Sequence, residues 1–255
     1  MHLPHETAEQ GAAGYEAARH GAGASGAERP RVLDRREGPH GEVVLRRHGG
    51  LLQIIANGCF LMDTSDGRSE RLLVRAALEE LDALGGRPAP AVLIGGLGVG
   101  FSLAEAAAEP RWGRITVVER EEAIVDWHLD GPLGESAAEL GTAGALADPR
   151  VRIVRADLLA HLADGGEPYD ALCLDVDNGP DWTVTEDNAS LYSPAGLAAC
   201  ARRLTPGGVL AVWSARPSPA FGEALRNAGF TRVRTEEVPV VRGVPDVIHL
   251  ATRPA

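Results

Sequence analysis

The chain has few aromatic and few basic residues for its length. Aromatic side chains make up 4% of 255 residues, so aliphatic side chains and alanine must fill the core. The 25 basic residues are outnumbered by 36 acidic ones, which gives a formal net charge of −11, and they form no basic stripe. This balance argues against a nucleic-acid partner. At 44% hydrophobic content, the chain can bury one large α/β core and a small appendage.

Long apolar runs and metal-ligand patterns are also missing. No run reaches the length of a transmembrane helix and the N-terminus has no apolar h-region, so we expect a cytoplasmic protein without a membrane partner. The three cysteines are widely spaced and predict reduced thiols. No histidine pair has ligand spacing, and no metal site is predicted. We expect His128 and His161 on helix surfaces and His249, within an apolar strand, in the core.

A glycine-rich turn between two apolar strands is the most informative segment. Residues 91–100 read AVLIGGLGVG, residues 101–109 predict an alanine-rich helix, and residues 115–119 predict a second strand. Glycine lets the chain turn sharply and approach a ligand closely. Glu119 lies 21 positions after Gly98, at a strand end where a carboxylate can accept both ribose hydroxyl hydrogen bonds. The spacing therefore predicts an adenosine-type ligand.

The glycine spacing separates two classes of adenosine ligand. A dinucleotide site usually reads G-x-G-x-x-G and holds a pyrophosphate at the helix N-terminus. Here Gly96, Gly98 and Gly100 stand at every second position, so the third glycine comes too early. This pattern favours S-adenosylmethionine over a dinucleotide.

Acidic residues follow the next two predicted strands. Asp157 comes after the strand at residues 151–154, where a carboxylate can accept a hydrogen bond from the adenine amine. Asp175 and Asp177 follow the strand at residues 171–174. Carboxylates at the carboxyl ends of strands face the ligand crevice of an open α/β sheet. Strands and helices alternate throughout, which predicts an α/β fold.

The motifs, in chain order, are GGLGVG, VVER, DPRV, RADLL, LCLDVDNGP, SLY and LTPGGVL. This order resembles the spermidine synthase family, the polyamine aminopropyltransferases, which have the class I methyltransferase fold. The resemblance covers roughly residues 31–214. It implies a Rossmann-like sheet of about seven strands, a homodimer or homotetramer, and a small β domain at residues 31–66 before a catalytic domain at residues 67–255. We expect residues 1–30 to form a disordered tail.

The resemblance also implies roles for individual residues. The donor-binding residues would be Gly95, Gly96, Gly98 and Gly100 around the donor, Glu119 at the ribose and Asp157 at the adenine. Asp177 is our first choice for the base that deprotonates the acceptor, and Asp175 would orient the acceptor or the amino group of the donor. Four side chains could line the acceptor pocket: Asn178, Trp182, Tyr192 and Trp213.

The acceptor side departs from the family pattern. The family usually has aspartate where this chain has Gly98, and a Tyr-His-Glu-like cluster where residues 69–71 read Ser-Glu-Arg. Its D-[ST]-[ST]-D-P loop reads DVDNGP here, with Asn178 at the place of the second acid, and Trp213 stands where glutamine is common. A loop aspartate pairs with the ammonium of decarboxylated S-adenosylmethionine and repels the carboxylate of the intact donor, so Gly98 removes that repulsion.

Three functions remain open from the sequence. Our first expectation is a transferase that moves a methyl or aminocarboxypropyl group from intact S-adenosylmethionine to a small, amine-containing acceptor. The second is a polyamine aminopropyltransferase that uses decarboxylated S-adenosylmethionine. The third is a protein that binds the donor without catalysis.

Overall fold

Two β-sheets organise the chain in the computed structural model, which describes residues 29–184, 186–240 and 243–255. The first sheet is antiparallel, with strands in the order β1-β2-β3-β4. Its strands are β1 (Arg31–Gly38), β2 (Gly41–His48), β3 (Leu51–Ala56) and β4 (Cys59–Asp63). Asn57 and Gly58, both with positive φ, make the tight turn between β3 and β4, as an Asn-Gly pair favours.

The second sheet has seven strands in the order β10-β11-β9-β8-β5-β6-β7. Its strands are β5 (Ala91–Gly95), β6 (Arg114–Glu119), β7 (Val151–Arg155), β8 (Tyr169–Leu174), β9 (Leu204–Ser214), β10 (Thr231–Val238) and β11 (Asp246–Thr252). In the sheet order β9-β8-β5-β6-β7, each pair of neighbouring strands is parallel. Strand β11 is antiparallel to both β9 and β10. The α/β class and the seven-stranded sheet with a smaller N-terminal sheet are confirmed.

Helices cover both faces of the large sheet. They are α1 (Arg68–Ala83), α2 (Phe101–Ala108), α3 (Glu122–Leu129), α4 (Pro132–Glu135), α5 (Ala137–Leu140), α6 (Leu158–Ala163), α7 (Pro194–Arg203) and α8 (Pro219–Asn227), with 3-10 turns at Ala145–Ala147 and Glu186–Tyr192. Ser193 and Ser218 cap α7 and α8, and each is followed by a proline at the first helical position. Within the described residues, no helix is long and apolar enough to cross a membrane.

The central strands are buried on both faces, as expected for parallel strands covered by helices. Leu93 of β5 packs in the core layer beneath α7, whereas Ile94 packs in the layer beneath α1. Strand β5 has β6 on one side and β8 on the other. Strands that follow β5 in sequence are therefore added first on one side of it and then on the other. Such a switch point opens a crevice at the carboxyl ends of the strands.

Candidate active site

A crevice lies at this switch point, bounded by the carboxyl ends of β5, β6 and β8 and by residues of β3 and β4. It encloses about 930 Å³ of empty space, including its open mouth. Eight residues expected from the sequence line it: Gly96, Gly98, Glu119, Asp157, Asp175, Asp177, Asn178 and Trp213. Four other expected residues do not line the crevice within the part of the chain that the structure describes: Gly95, Gly100, Trp182 and Tyr192.

The turn after β5 lies close to two other segments. Gly96 has φ +91°, and a side-chain carbon there would overlap the backbone oxygen of Asp175. Gly98 has φ +50°, and a side-chain carbon there would overlap the Met62 sulfur, which comes from β4. Glycine meets both requirements. The space in which the family resemblance places an acid is therefore occupied by Met62.

Glu119 is positioned by backbone donors at the end of β6. The Leu97 N–H donates to Oε2 at 2.9 Å and the Glu121 N–H donates to Oε1 at 2.8 Å. Burial raises the pKa of the Glu119 carboxyl, and these two hydrogen bonds act in the opposite direction. Each carboxylate oxygen has a further lone pair, so the side chain can still accept hydrogen bonds from two ribose hydroxyls.

Asp157 caps α6 on the same side of the crevice. Its Oδ1 accepts a hydrogen bond from the Ala160 N–H at 2.8 Å. Since β6 and β7 are neighbours, Glu119 and Asp157 lie at adjacent strand ends. This arrangement fits an adenosine group that extends from ribose to adenine along that edge.

Asp177 organises the loop after β8. Its Oδ1 accepts hydrogen bonds from the backbone N–H groups of Asn178 at 2.8 Å and Val184 at 2.7 Å, and its Oδ2 accepts one from Asn188 Nδ2 at 2.7 Å. Arg120 Nη1 in turn donates to Asn188 Oδ1 at 3.3 Å. The carboxylate therefore connects the loop to the end of β6 through Asn188 and Arg120.

Asp175 and Asn178 differ in their surroundings. Asp175 is half-buried at the end of β8, and its N–H donates to the Gly95 carbonyl at 2.9 Å. Asn178 is 1% exposed and its Nδ2 donates to the Phe60 carbonyl at 3.4 Å, which joins this loop to β4. Asp175 is thus better placed than Asn178 to meet an acceptor.

The expected residues that do not line the crevice pack against other residues. Tyr192 meets Phe221 edge to face with ring centroids 5.6 Å apart, and burial raises the pKa of its hydroxyl. The Arg216 guanidinium lies 6.0 Å from the centroid of a Trp182 ring. Two glycines also pack closely: Gly95 lies behind the crevice lining, against Leu158, Leu174 and Val176, and Gly100 faces His128 and Thr142.

The surface position expected for His128 is wrong. The ring is 7% exposed, and its Nε2 lies 2.9 Å from the Gly98 carbonyl oxygen, so α3 supports the glycine turn from behind. Burial lowers the His128 pKa, which favours a neutral ring. The described part of the chain contains no group of His, Cys, Asp and Glu side chains that could hold a metal ion.

Sequence reasoning did not identify Glu70 as a site residue. This residue lies in the first turn of α1, is 5% exposed, and lines the crevice. Ser69 Oγ is 2.9 Å from both Glu70 Oε2 and Asp246 Oδ2. The Ser-Glu-Arg departure from the family cluster was the only signal, and nothing local linked it to Asp246.

Acidic side chains dominate the crevice. Six line it: Glu70, Glu119, Asp157, Asp175, Asp177 and Asp187. Among the described lining residues, Arg120 is the single basic one, and it already bonds Glu121 and Asn188. The crevice is therefore suited to cationic ligands.

A seven-stranded α/β sheet with a crevice at its switch point and a small antiparallel sheet beside it defines a class I methyltransferase-type fold with an N-terminal β domain. Two solved structures share this fold. A spermidine synthase in complex with the transition state analogue AdoDATO has a TM-score of 0.70 at 17% identity, over 88% of this chain and 74% of that one. A spermidine synthase from Thermotoga maritima has a TM-score of 0.67 at 17% identity, over 88% and 73%.

Sequence comparison gives relatives of the same kind. Polyamine aminopropyltransferases of Mycobacterium tuberculosis and Mycobacterium bovis are 29% identical to this chain over 209 residues. The match covers 78% of this chain but 37% of those relatives, so it spans less than half of their length. No protein-family model matches the chain. The chain is spermidine synthase-like in sequence and fold, which confirms the resemblance found from its motifs.

Proposed function

We propose that this chain transfers an aminopropyl group from decarboxylated S-adenosylmethionine to a small amine. The observation that carries the proposal is the charge of the crevice, in which six acidic residues face a single arginine. Decarboxylated S-adenosylmethionine is a sulfonium with an ammonium and no carboxylate, whereas the intact donor would bring its carboxylate into this acidic site. The similarity to polyamine aminopropyltransferases also supports this alternative over our first expectation of intact donor.

The reaction is an in-line displacement at the aminopropyl carbon that is bonded to sulfur. The lone pair of the acceptor nitrogen attacks that carbon, the C–S bond breaks, and the electron pair leaves with sulfur as the neutral thioether 5′-methylthioadenosine. The new ammonium then loses a proton. Positioning supplies much of the rate enhancement, because the donor carries its own leaving group.

The described residues divide these tasks among themselves. Glu119 and Asp157 hold the ribose and adenine, and the turn at Gly96 and Gly98 lets the backbone approach the sulfur. Asp175 accepts the proton, because it lines the crevice at the end of β8, where its backbone N–H is bonded to the Gly95 carbonyl. Asp177 keeps the loop in place, since its oxygens already accept three hydrogen bonds.

The first test supplies the purified protein with either donor and a short aliphatic diamine, 1,4-diaminobutane, and measures release of 5′-methylthioadenosine. We expect release from the decarboxylated donor only, and only when the amine is present. Transfer of methyl or aminocarboxypropyl from intact S-adenosylmethionine would contradict the proposal. Failure to bind either donor would contradict the donor site itself.

A substitution tests the base. Asp175→Asn is expected to lower kcat by about 10²- to 10⁴-fold, the usual contribution of a general base. Affinity for 5′-methylthioadenosine should stay within about twofold, because Asp175 has no role in binding the adenosine. The matched control is Asp181→Asn, an exposed acid on the following loop. Equal kcat in wild type and Asp175→Asn would remove Asp175 from this role.

A further inference from the structure

We propose that Glu70 binds the terminal ammonium of the aminopropyl group and thereby selects the decarboxylated donor over the intact one. This inference rests on the proposed function and assigns a specificity-determining residue to it. The glycine turn itself, residues 96–100, contains no acid, and Met62 occupies the space next to Gly98. The binding group for the ammonium must therefore come from another element.

The first turn of α1 lies against the glycine turn and the start of α2. Ser102 Oγ donates to the Glu70 backbone carbonyl at 3.2 Å. Gly67 lies directly against the Phe101 ring, and the Arg71 guanidinium is 5.0 Å from the centroid of that ring. Glu70 and Gly98 line the same crevice. Glu70 thus lies beside the start of α2 and shares the crevice with the turn that approaches the sulfonium.

The strand order places Glu70 opposite the adenosine end. Glu119 and Asp157 follow β6 and β7, on one side of β5. Ser69 contacts Asp246, the first residue of β11, which lies on the other side beyond β8 and β9. A donor whose adenosine lies along β6 and β7 and whose sulfur lies at the glycine turn therefore directs its three-carbon arm toward Glu70.

Two features suit this end of the crevice to an ammonium. Glu70 lies in the first turn of α1, where the partial positive charge of a helix N-terminus stabilises a carboxylate. Ser69 Oγ is 2.9 Å from one oxygen of Glu70 and from one of Asp246, which brings two acidic side chains together. An ammonium brings three N–H donors to this pair and matches its charge.

The same arrangement disfavours the intact donor. Intact S-adenosylmethionine has its carboxylate on the carbon that carries the amino group. An ammonium held at Glu70 would therefore bring that carboxylate close to Glu70 and Asp246, two acids that are 5% and 4% exposed. Repulsion between charges is strong where solvent screening is weak.

The test is calorimetric binding of three ligands to the full chain and to Glu70→Gln. We expect the variant to bind decarboxylated S-adenosylmethionine about 10- to 100-fold more weakly, as for loss of a charge-assisted hydrogen bond. Affinity for 5′-methylthioadenosine, which lacks the aminopropyl arm, should stay within about twofold. The preference for decarboxylated over intact donor should fall by at least the same factor. A purely structural role for Glu70 would not change this preference.

Control variants separate the effect of losing the Glu70 charge from an effect on folding. Glu79→Gln removes the same charge from an exposed position on α1 and should leave all three affinities unchanged. Glu70→Asp retains the charge on a shorter side chain and should keep part of the preference for the decarboxylated donor. Its donor affinities provide a second measurement if Glu70→Gln folds poorly.

Other outcomes would overturn the inference. Equal donor affinities in wild type and Glu70→Gln, with a raised KM for the diamine, would assign Glu70 to the acceptor instead. Parallel loss of 5′-methylthioadenosine binding would indicate a structural role. In both cases the proposed function stands, whereas wild-type protein that binds neither donor would overturn the proposed function together with this inference.

Discussion

Asp177 shows how a strand-end acid can serve the architecture of a site. Sequence position made it our first choice as the base, since it follows β8 and faces the expected crevice. In the structure its two oxygens accept hydrogen bonds from Asn178, Val184 and Asn188. A carboxylate used in this way is poorly suited to accept a further proton in each reaction cycle.

Exchange of Asp177 with its amide partner tests this assignment. Asp177→Asn places an amide against the Asn188 amide and should lower the free energy of unfolding by about 1–3 kcal/mol, with a large loss of activity. The double variant Asp177→Asn, Asn188→Asp restores donor and acceptor in reversed order and should recover most of both. Urea unfolding and kcat of the single and double variants provide the measurement. Recovery of stability without activity would instead indicate that Asp177 is the base.

At the residue scale, the sequence predicted crevice residues where the signal was local. Glu119 could be proposed because its distance from the glycine turn is fixed by one strand-helix-strand unit, and Asp157 because it lies shortly after a strand; both line the crevice. Glu70 and Asp246 are 176 positions apart and meet through Ser69 only after the sheet has formed. No spacing rule anticipates such a pair.

At the element scale, the informative contact is that of β4 with the turn after β5. Met62 lies against Gly98, and Asn178 on the loop after β8 donates to the Phe60 carbonyl. Strand β4 therefore contacts both the glycine turn after β5 and the loop after β8. The sequence indicated short strands before residue 66, but it could not show which of them would reach the crevice, because that depends on packing between the two sheets.

Two glycines with positive φ allow this contact to be measured. In Gly58→Ala the new methyl group meets open space, so only the strained backbone should lower the free energy of unfolding, by about 1 kcal/mol. In Gly98→Ala the methyl group also overlaps Met62, which should lower it by about 1–3 kcal/mol more. In a Met62→Ala background this additional cost should disappear. The measurement is the free energy of unfolding of the four variants. Equal costs at both glycines would show that Met62 does not constrain the turn.

At the scale of the whole molecule, the alternation of strands and helices predicted the α/β class, and the family resemblance implied the seven-stranded sheet. The predicted position of His249 in a core strand is also seen, since the ring is 1% exposed and meets Phe221 edge to face. Neither ring nitrogen has a hydrogen-bond partner within the described residues. Hydrophobic patterning can place a residue inside, but it does not indicate whether its polar atoms find partners.

This buried histidine makes the stability of the protein depend on pH. Burial lowers the His249 pKa to about 4 from 6.5, so below pH 6.5 the unfolded chain takes up a proton that the folded chain excludes. The free energy of unfolding is therefore unaffected by this group above pH 6.5. Between pH 6.5 and pH 4 it falls by about 1.4 kcal/mol for each pH unit. His128 and His161, whose pKa values burial also lowers, act in the same direction.

His249→Met should therefore flatten the fall in stability between pH 6.5 and pH 4. At pH 7 the variant should be as stable as the wild type or more stable, since methionine brings no unpaired nitrogen into the core. Urea unfolding at pH 7, 5.5 and 4.5 measures the effect, with His48→Met at the end of β2 as the control. An unchanged pH slope in His249→Met would show that this ring can be protonated in the folded state.

The acidic crevice has a kinetic consequence. Negative charge concentrated in a concave site of a chain with net charge −11 attracts cations from a distance, and dissolved salt screens that attraction over about 10 Å at 0.1 M ionic strength. The association rate of a dicationic amine should therefore fall as sodium chloride is raised from 20 to 300 mM, with a smaller change for uncharged 5′-methylthioadenosine. Capture of substrate by this protein would then respond to the salt of its surroundings, while the chemical step would not.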